Sequence, residues 1–121
     1  MFKVIVAGSR DFRDYGLLER AMDHLLSNKT TEEIEIVSGT ARGADEMGER
    51  FAKEKGYALK QFPADWDTFG KSAGYRRNSQ MADYADACVV FWDGKSRGTK
   101  HMIDLAEKTG LLLRVARTSL D

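Results

Sequence analysis

The chain has 121 residues, 42% of them hydrophobic and 31% charged, with a single Pro; this suits one ordinary soluble domain spanning 1–121 and excludes a disordered, low-complexity or fibrous chain. Nineteen Lys and Arg balance nineteen Asp and Glu, so bulk charge recruits neither nucleic acid nor an anionic membrane, and any anion site has to be local. One Cys excludes an internal disulfide, and with two distant His residues, His24 and His101, no metal site and no resident cofactor is expected.

The opening MFKVIVAGSRDF has an apolar run too short for a signal peptide or a membrane span, and no later stretch approaches the length of a span; a cytoplasmic protein is expected. Lys3 to Ala7 reads as a strand buried on both faces, stopped by Gly8 and Ser9. From Tyr15 to Leu26, apolar residues recur at three- and four-residue intervals opposite Glu19, Arg20 and Asp23, which predicts an amphipathic helix. Ile34 to Val37 is a second strand, and Ala44, Met47, Phe51 and Ala52 mark a second helix ending at Gly56. A third strand, Tyr57 to Phe62, is stopped by Pro63 and followed by a long polar stretch, PADWDTFGKSAG, expected to be a functional loop or lid. A helix from Tyr75 to about Ala85, a strand from Ala87 to Phe91, a helix from Thr99 to Thr109 closed by Gly110, and a strand from Leu111 to Val115 complete the chain. The last four residues, TSLD, read as a frayed tail.

Strands alternating with helices, most strands continuously apolar, imply an α/β fold: a Rossmann-like three-layer sandwich around a five-stranded parallel sheet. Right-handed crossovers favour the order 3-2-1-4-5, with 2-1-3-4-5 as the alternative. In the first order a crevice opens between strands one and four.

Ligands of open parallel sheets bind outside the carboxyl ends of the strands, where helix N-termini direct unpaired N–H groups. Three loops there share one chemistry: Gly8, Ser9 and Arg10; Ser38, Gly39, Thr40, Ala41, Arg42, Gly43 and Asp45; and Trp92, Asp93, Gly94, Ser96, Gly98 and Thr99. Small residues admit a ligand to the backbone, hydroxyls bond locally, and Arg presents a fork that fits phosphate oxygens. The loops on this edge hold nine basic and six acidic residues, a local excess of positive charge on a neutral chain. Turn and capping duty is the alternative reading for each loop singly; connectors at the opposite edge, SNKTTEE, KEKG and EKTG, lack the Gly-hydroxyl-Arg combination. Neither GxxxxGK[ST] nor GxGxxG is present, which excludes the usual Walker and dinucleotide fingerprints.

At these residues the chain resembles a known family. GSRDF, VSGTARGADEMGERFA and YRRNSQMADYADACVVFWDGKSRGTKHMIDLA are similar to the SLOG superfamily, in its small YpsA-like and YspA-like branch, met in bacterial and phage contexts. The resemblance implies a Rossmann-like domain that binds a small nucleotide-type ligand, such as a nucleoside monophosphate, NAD or an ADP-ribose-type compound, in keeping with a sensor. It extends to the cytokinin-activating phosphoribohydrolases, which cleave the N-glycosidic bond of nucleoside monophosphates with an Arg and a Glu. Arg77 falls on that catalytic Arg, and Gly94, Gly98 and Thr99 fall on the Gly and Thr positions of PGGxGTxxE, whereas Met102 stands at the Glu. A thioether is neither a base nor a stabiliser of developing positive charge, and Asp104 lies about 200° further round a helix. Nucleotide N-glycosidase action is therefore the alternative, and would need Asp45 or Asp93. Single-stranded DNA binding is a second alternative, because the DNA-processing protein that loads recombinase shares the superfamily; zero net charge argues against it, and nucleic acid is not expected as a partner.

In the leading reading, amides of Gly8-Ser9 and of Gly39 to Gly43 cradle a phosphate, Arg10 and Arg77 pair with it, and Gly98-Thr99 set the last helix against a second anionic group. Trp66, Phe69 and Trp92 are candidates for stacking on a base, against a small loop core or a dimer contact. Cys88 reads as a buried small hydrophobe, His24 as surface, and His101 as a group near the crevice. A homo-oligomer is left open.

Overall fold

A computed structural model describes residues 1–118; Ser119 to Asp121, most of the tail expected to fray, lie outside the described residues. The elements are β1 (Phe2–Gly8), α1 (Tyr15–Leu25), β2 (Ile34–Ser38), α2 (Ala44–Lys55), β3 (Ala58–Gln61), a short α3 (Trp66–Phe69), α4 (Ala73–Tyr84), β4 (Ala87–Trp92), α5 (Arg97–Thr109) and β5 (Leu112–Arg117). All strand pairs are parallel and the sheet order is β3-β2-β1-β4-β5. The fold is the Rossmann-like sandwich with the crevice between β1 and β4.

The central strand shows why this sequence needs both faces covered. Successive side chains of a strand point to opposite faces, and Val4, Ile5 and Val6 are all fully buried. Val4 and Val6 pack with Leu18 and Met22 of α1 and Phe51 of α2, while Ile5 and Ala7 pack with Met81 of α4 and Met102 and Ile103 of α5. Each such side chain contributes about 1.5–3 kcal/mol on full burial. The three inner strands accordingly carry the buried apolar runs, interrupted in β2 by the half-buried Glu35, whereas β3 and β5 lie at the edges, leaving Leu59, Leu112 and Val115 exposed.

The stretch after β3 is more ordered than its composition suggests. Asp65 accepts a hydrogen bond from the Thr68 amide at 3.1 Å and starts α3, a 3₁₀ turn over Gly70–Ser72 follows, and α4 begins at Ala73, two residues before the expected start. At α5, Ser96 caps the helix by accepting from the Thr99 amide at 3.3 Å, so the helix begins at Arg97, two residues before the expected start, and Gly98 lies in its first turn instead of preceding it. Among the described residues no helix is long and apolar enough to cross a membrane.

Candidate functional site

Because β1 and β4 end side by side while their following segments diverge, the chain leaves a hollow of about 220 Å³ at the carboxyl edge of the sheet. Gly8, Arg10, Ala41, Asp45, Arg77, Ser96, Gly98 and Thr99, from all three expected loops and α4, line this inner hollow. Two further hollows flank it. Towards β2, Gly39, Thr40 and Arg42 join Arg10, Ala41 and Arg77; towards α5, Trp92 and Gly94 join Ser96.

Ser9, Ser38, Gly43 and Asp93 line none of these hollows. Ser9 is a joint: its N–H donates to the Phe91 carbonyl at 3.0 Å, its carbonyl accepts from Phe12 and Ala44, and its hydroxyl accepts from the Asp93 amide. Ser38 donates to Glu49 at 2.7 Å and accepts from the Thr40 amide at 3.0 Å. Asp93 accepts from the Lys95 and Ser96 amides at 2.8 Å each, and these bonds hold its carboxyl below the ordinary range. Gly43, at φ 79°, passes so close to the Ser9 and Arg10 carbonyl oxygens that a side chain has no room.

Four amides of the expected cradle already have acceptors. The Ser9 amide is committed to Phe91, Thr40 to Ser38, Ala41 to Asp45 at 3.1 Å, and Gly43 to Glu46 at 3.3 Å. Side-chain acceptors two to four residues away satisfy the last three donors, and the Phe91 carbonyl the first, before a ligand can. The first amides of α5 differ: Arg97 and Gly98 occupy positions with no intrahelical acceptor, and Gly98 faces the inner hollow.

Arg77 is the half-buried cation at the centre. It donates to the Gly39 carbonyl and, through Nε, to Asn78 Oδ1 at 2.9 Å. A side chain at Gly39 would collide with both the Arg77 guanidinium and the Asp45 carboxylate, so these groups converge on one glycine. Burial pulls the Arg77 pKa down, with Asp45 opposing that and Arg10 adding to it. Asp45 is 6% exposed, and burial pushes its carboxyl up to about 6 despite the Ala41 amide and the Arg77 and Arg10 charges. Of Asp45 and Asp93, either of which was to supply a carboxylate for glycosidic chemistry, only Asp45 faces the hollow; Met102 lines it too, at 1% exposure.

Sequence reasoning passed over Lys71, Tyr75 and Asn78, which also line the inner hollow. Asn78 donates weakly to the Gly98 carbonyl at 3.4 Å and its amide lies 3.2 Å from His101 Nδ1, so it links α4 and Arg77 to the start of α5. It sits three and four residues before the inward Met81 and Ala82, and a polar residue on that apolar stripe was the available signal. Trp66, half exposed, lines the inner hollow, whereas Phe69 packs under the Arg76 guanidinium. Burial pushes the Cys88 thiol up to about 12, as suits an inert core residue. Among the described residues, no group of three or more His, Cys, Asp or Glu side chains is placed to hold a metal ion.

Comparison with known proteins adds relatives to this geometry. The gene 61 protein of Mycobacterium phage D29 is 34% identical over 117 residues, covering 92% of this chain and 93% of that one. Among solved structures, DNA processing protein A from Streptococcus pneumoniae superposes with a TM-score of 0.79 at 20% identity, covering 99% of this chain. DNA processing protein A from Helicobacter pylori, described for its single-stranded DNA binding mode, gives 0.68 at 19%, again over 99% of this chain. The chain spans 52% and 67% of those two proteins. The expectation that nucleic acid is not a partner is overturned: a protein that shares this fold over nearly the whole of this chain is described for its single-stranded DNA binding, and net charge over a whole domain is no guide to one rim. The model of the YspA, cpYpsA-related SLOG family matches residues 2–69, more than half the chain, and this chain belongs to that family.

Proposed function

We propose that the inner hollow binds the phosphate of a nucleotide. The observation that carries this reading is the convergence of Arg10, Lys71 and Arg77, with the Gly98 end of α5, on a space whose one acidic lining residue is the desolvated Asp45. Guanidinium forks pair with phosphate oxygens in two parallel bonds, and a helix start adds unpaired amides and a favourable dipole. In this reading Arg77 exchanges the Gly39 carbonyl for phosphate, and Gly98 and Thr99 receive a second anionic group. A nucleotide is also the ligand class that membership of the family suggests.

Calorimetry with AMP and adenosine tests the reading. AMP is expected to bind at least about tenfold more tightly than adenosine, as loss of a charge-assisted contact implies, and more weakly in Arg10→Ala. Equal affinity for AMP and adenosine, or unchanged AMP affinity in that variant, would overturn it. A second reading, in which the nucleotide is a unit of single-stranded DNA, is favoured by the fold shared with DNA processing protein A. Its test is fluorescence anisotropy with a labelled oligonucleotide: binding that weakens steeply with salt supports it, and no binding at low salt refutes it.

A further inference from the structure

Asn78 is the buried polar side chain of α4, and both ends of its amide are in use. Its Oδ1 accepts from Arg77 Nε at 2.9 Å, and its Nδ2 lies 3.4 Å from the Gly98 carbonyl and 3.2 Å from His101 Nδ1. Two of these partners have fixed roles. A guanidinium N–H can only donate and a carbonyl oxygen can only accept, so the amide has one allowed orientation, oxygen towards Arg77 and nitrogen towards α5. The third partner is then fixed as well: facing an N–H, His101 Nδ1 has to accept, which leaves the ring neutral with its proton on Nε2.

The lock runs in both directions. An imidazolium donates from both ring nitrogens, so a protonated His101 sets N–H against the N–H of Asn78. Turning the amide over relieves that contact only by setting its nitrogen against Arg77 Nε and its oxygen against the Gly98 carbonyl, two repulsive pairs in place of two hydrogen bonds. The charges around the ring come from α5 itself, where Asp104 pairs with Lys100 at 2.5 Å and Arg97 stands one turn back, and from Lys95 in the preceding loop. From α4 come Asn78 and the Tyr75 ring, edge-on with centroids 4.4 Å apart. Burial disfavours the imidazolium and Asp104 favours it; burial prevails and holds the His101 pKa below the ordinary 6.5.

We propose that Asn78 is the positioning residue of the cleft: while His101 is neutral, Asn78 aims the Arg77 guanidinium and the start of α5 at the same anion, and protonation of His101 releases Arg77. This rests on the reading of the inner hollow as a phosphate site. Because Asn78 occupies Arg77 Nε, the two terminal nitrogens of the guanidinium are the pair left for phosphate oxygens, one of them on leaving the Gly39 carbonyl. The other end of the same amide, on the Gly98 carbonyl, keeps the first amides of α5 in register with that pair.

Nitrogen-15 spectra of the histidine rings and of arginine Nε, recorded without ligand from about pH 5 to 8, test the link in Asp45→Asn, where the carboxylate beside Arg77 no longer titrates. Neutral His101 is expected to carry its proton on Nε2, and the Arg77 Nε signal to move with the His101 midpoint; adding His101→Gln removes that step. Asn78→Asp keeps an oxygen for Arg77 but cannot donate, so in that variant the proton of neutral His101 shifts to Nδ1 and the midpoint rises. Asn78→Leu is expected to bind AMP about tenfold more weakly than the wild-type chain; should that variant fail to fold, the spectra with and without His101→Gln decide alone. A neutral ring protonated on Nδ1 while Asn78 is in place, an Arg77 Nε signal indifferent to His101, or unchanged AMP affinity in Asn78→Leu overturns the proposal and leaves the phosphate reading standing. Absence of AMP binding by the wild-type chain, with His101 and Arg77 still titrating together, overturns the phosphate reading and with it the positioning role.

Discussion

Replacing Asp45 with Asn probes the cost of keeping a carboxylate in the hollow. Burial lifts its pKa from the ordinary 3.8 to about 6, so between those values the folded chain holds a proton that the unfolded chain has released. Stability contributed by this group is complete below about pH 4 and is lost as pH rises through about 6. A separation of this size corresponds to about 3 kcal/mol at neutral pH. Asparagine keeps an oxygen for the Ala41 amide and never ionises, so Asp45→Asn is expected to be more stable than the wild-type chain by about 2–3 kcal/mol near pH 7.5 and equally stable near pH 4. With the usual unfolding entropy per residue, that is a rise in Tm of about 10 °C. Thermal unfolding followed by circular dichroism across this pH range measures it. A variant no more stable than wild type near neutrality, or an advantage undiminished at the acid end, would refute the reasoning.

The same substitution strengthens AMP binding, because at an assumed separation of about 6 Å and an effective dielectric of about 20 the lost repulsion is about 3 kcal/mol. In the wild-type chain AMP binding near neutral pH then takes up a proton at Asp45, read as a buffer-dependent calorimetric enthalpy. Arg77→Ala weakens AMP at least about tenfold, and Arg77→Lys restores only part because an ammonium cannot make two parallel bonds. Gly43→Ala costs about 3 kcal/mol or more in urea unfolding, since a side chain at φ 79° meets the Ser9 and Arg10 carbonyls. Thr40, a β-branched residue at φ 65°, stores strain beside the cleft, and Thr40→Gly is expected to recover up to about 1 kcal/mol in the same assay.

The parts of the fold that were legible are those with a two-sided apolar signature. Val4 to Val6 and Ala87 to Phe91 have no polar face to offer water, and Ile34 to Val37 has only Glu35, so a covered parallel sheet was the available solution. The edge strands, half exposed, shifted at their ends, and α3 escaped because four polar and aromatic residues behind an Asp cap carry no period to detect. At the site, the Gly-hydroxyl-Arg loops marked the right rim but misassigned its donors. Ser38, Asp45 and Glu46 satisfy amides of their own loop, a capping pattern that local spacing could have disclosed. Tyr75 was hidden because its contribution depends on how α4 docks beside α5, which no local pattern encodes, whereas Asn78 interrupts the apolar stripe of α4 and was there to be read.

The central claim is that distant segments close on one anion. Backbone and arginine Nε nitrogen–proton correlation spectra, recorded while AMP is added, test it most directly. The account predicts saturable shifts concentrated at Arg10, Arg77 Nε, Gly98 and Thr99, with the β5 edge at Leu112 to Val115 undisturbed. Shifts gathered at β5 or scattered over the surface, with the Arg77 Nε signal unmoved at saturation, would contradict it.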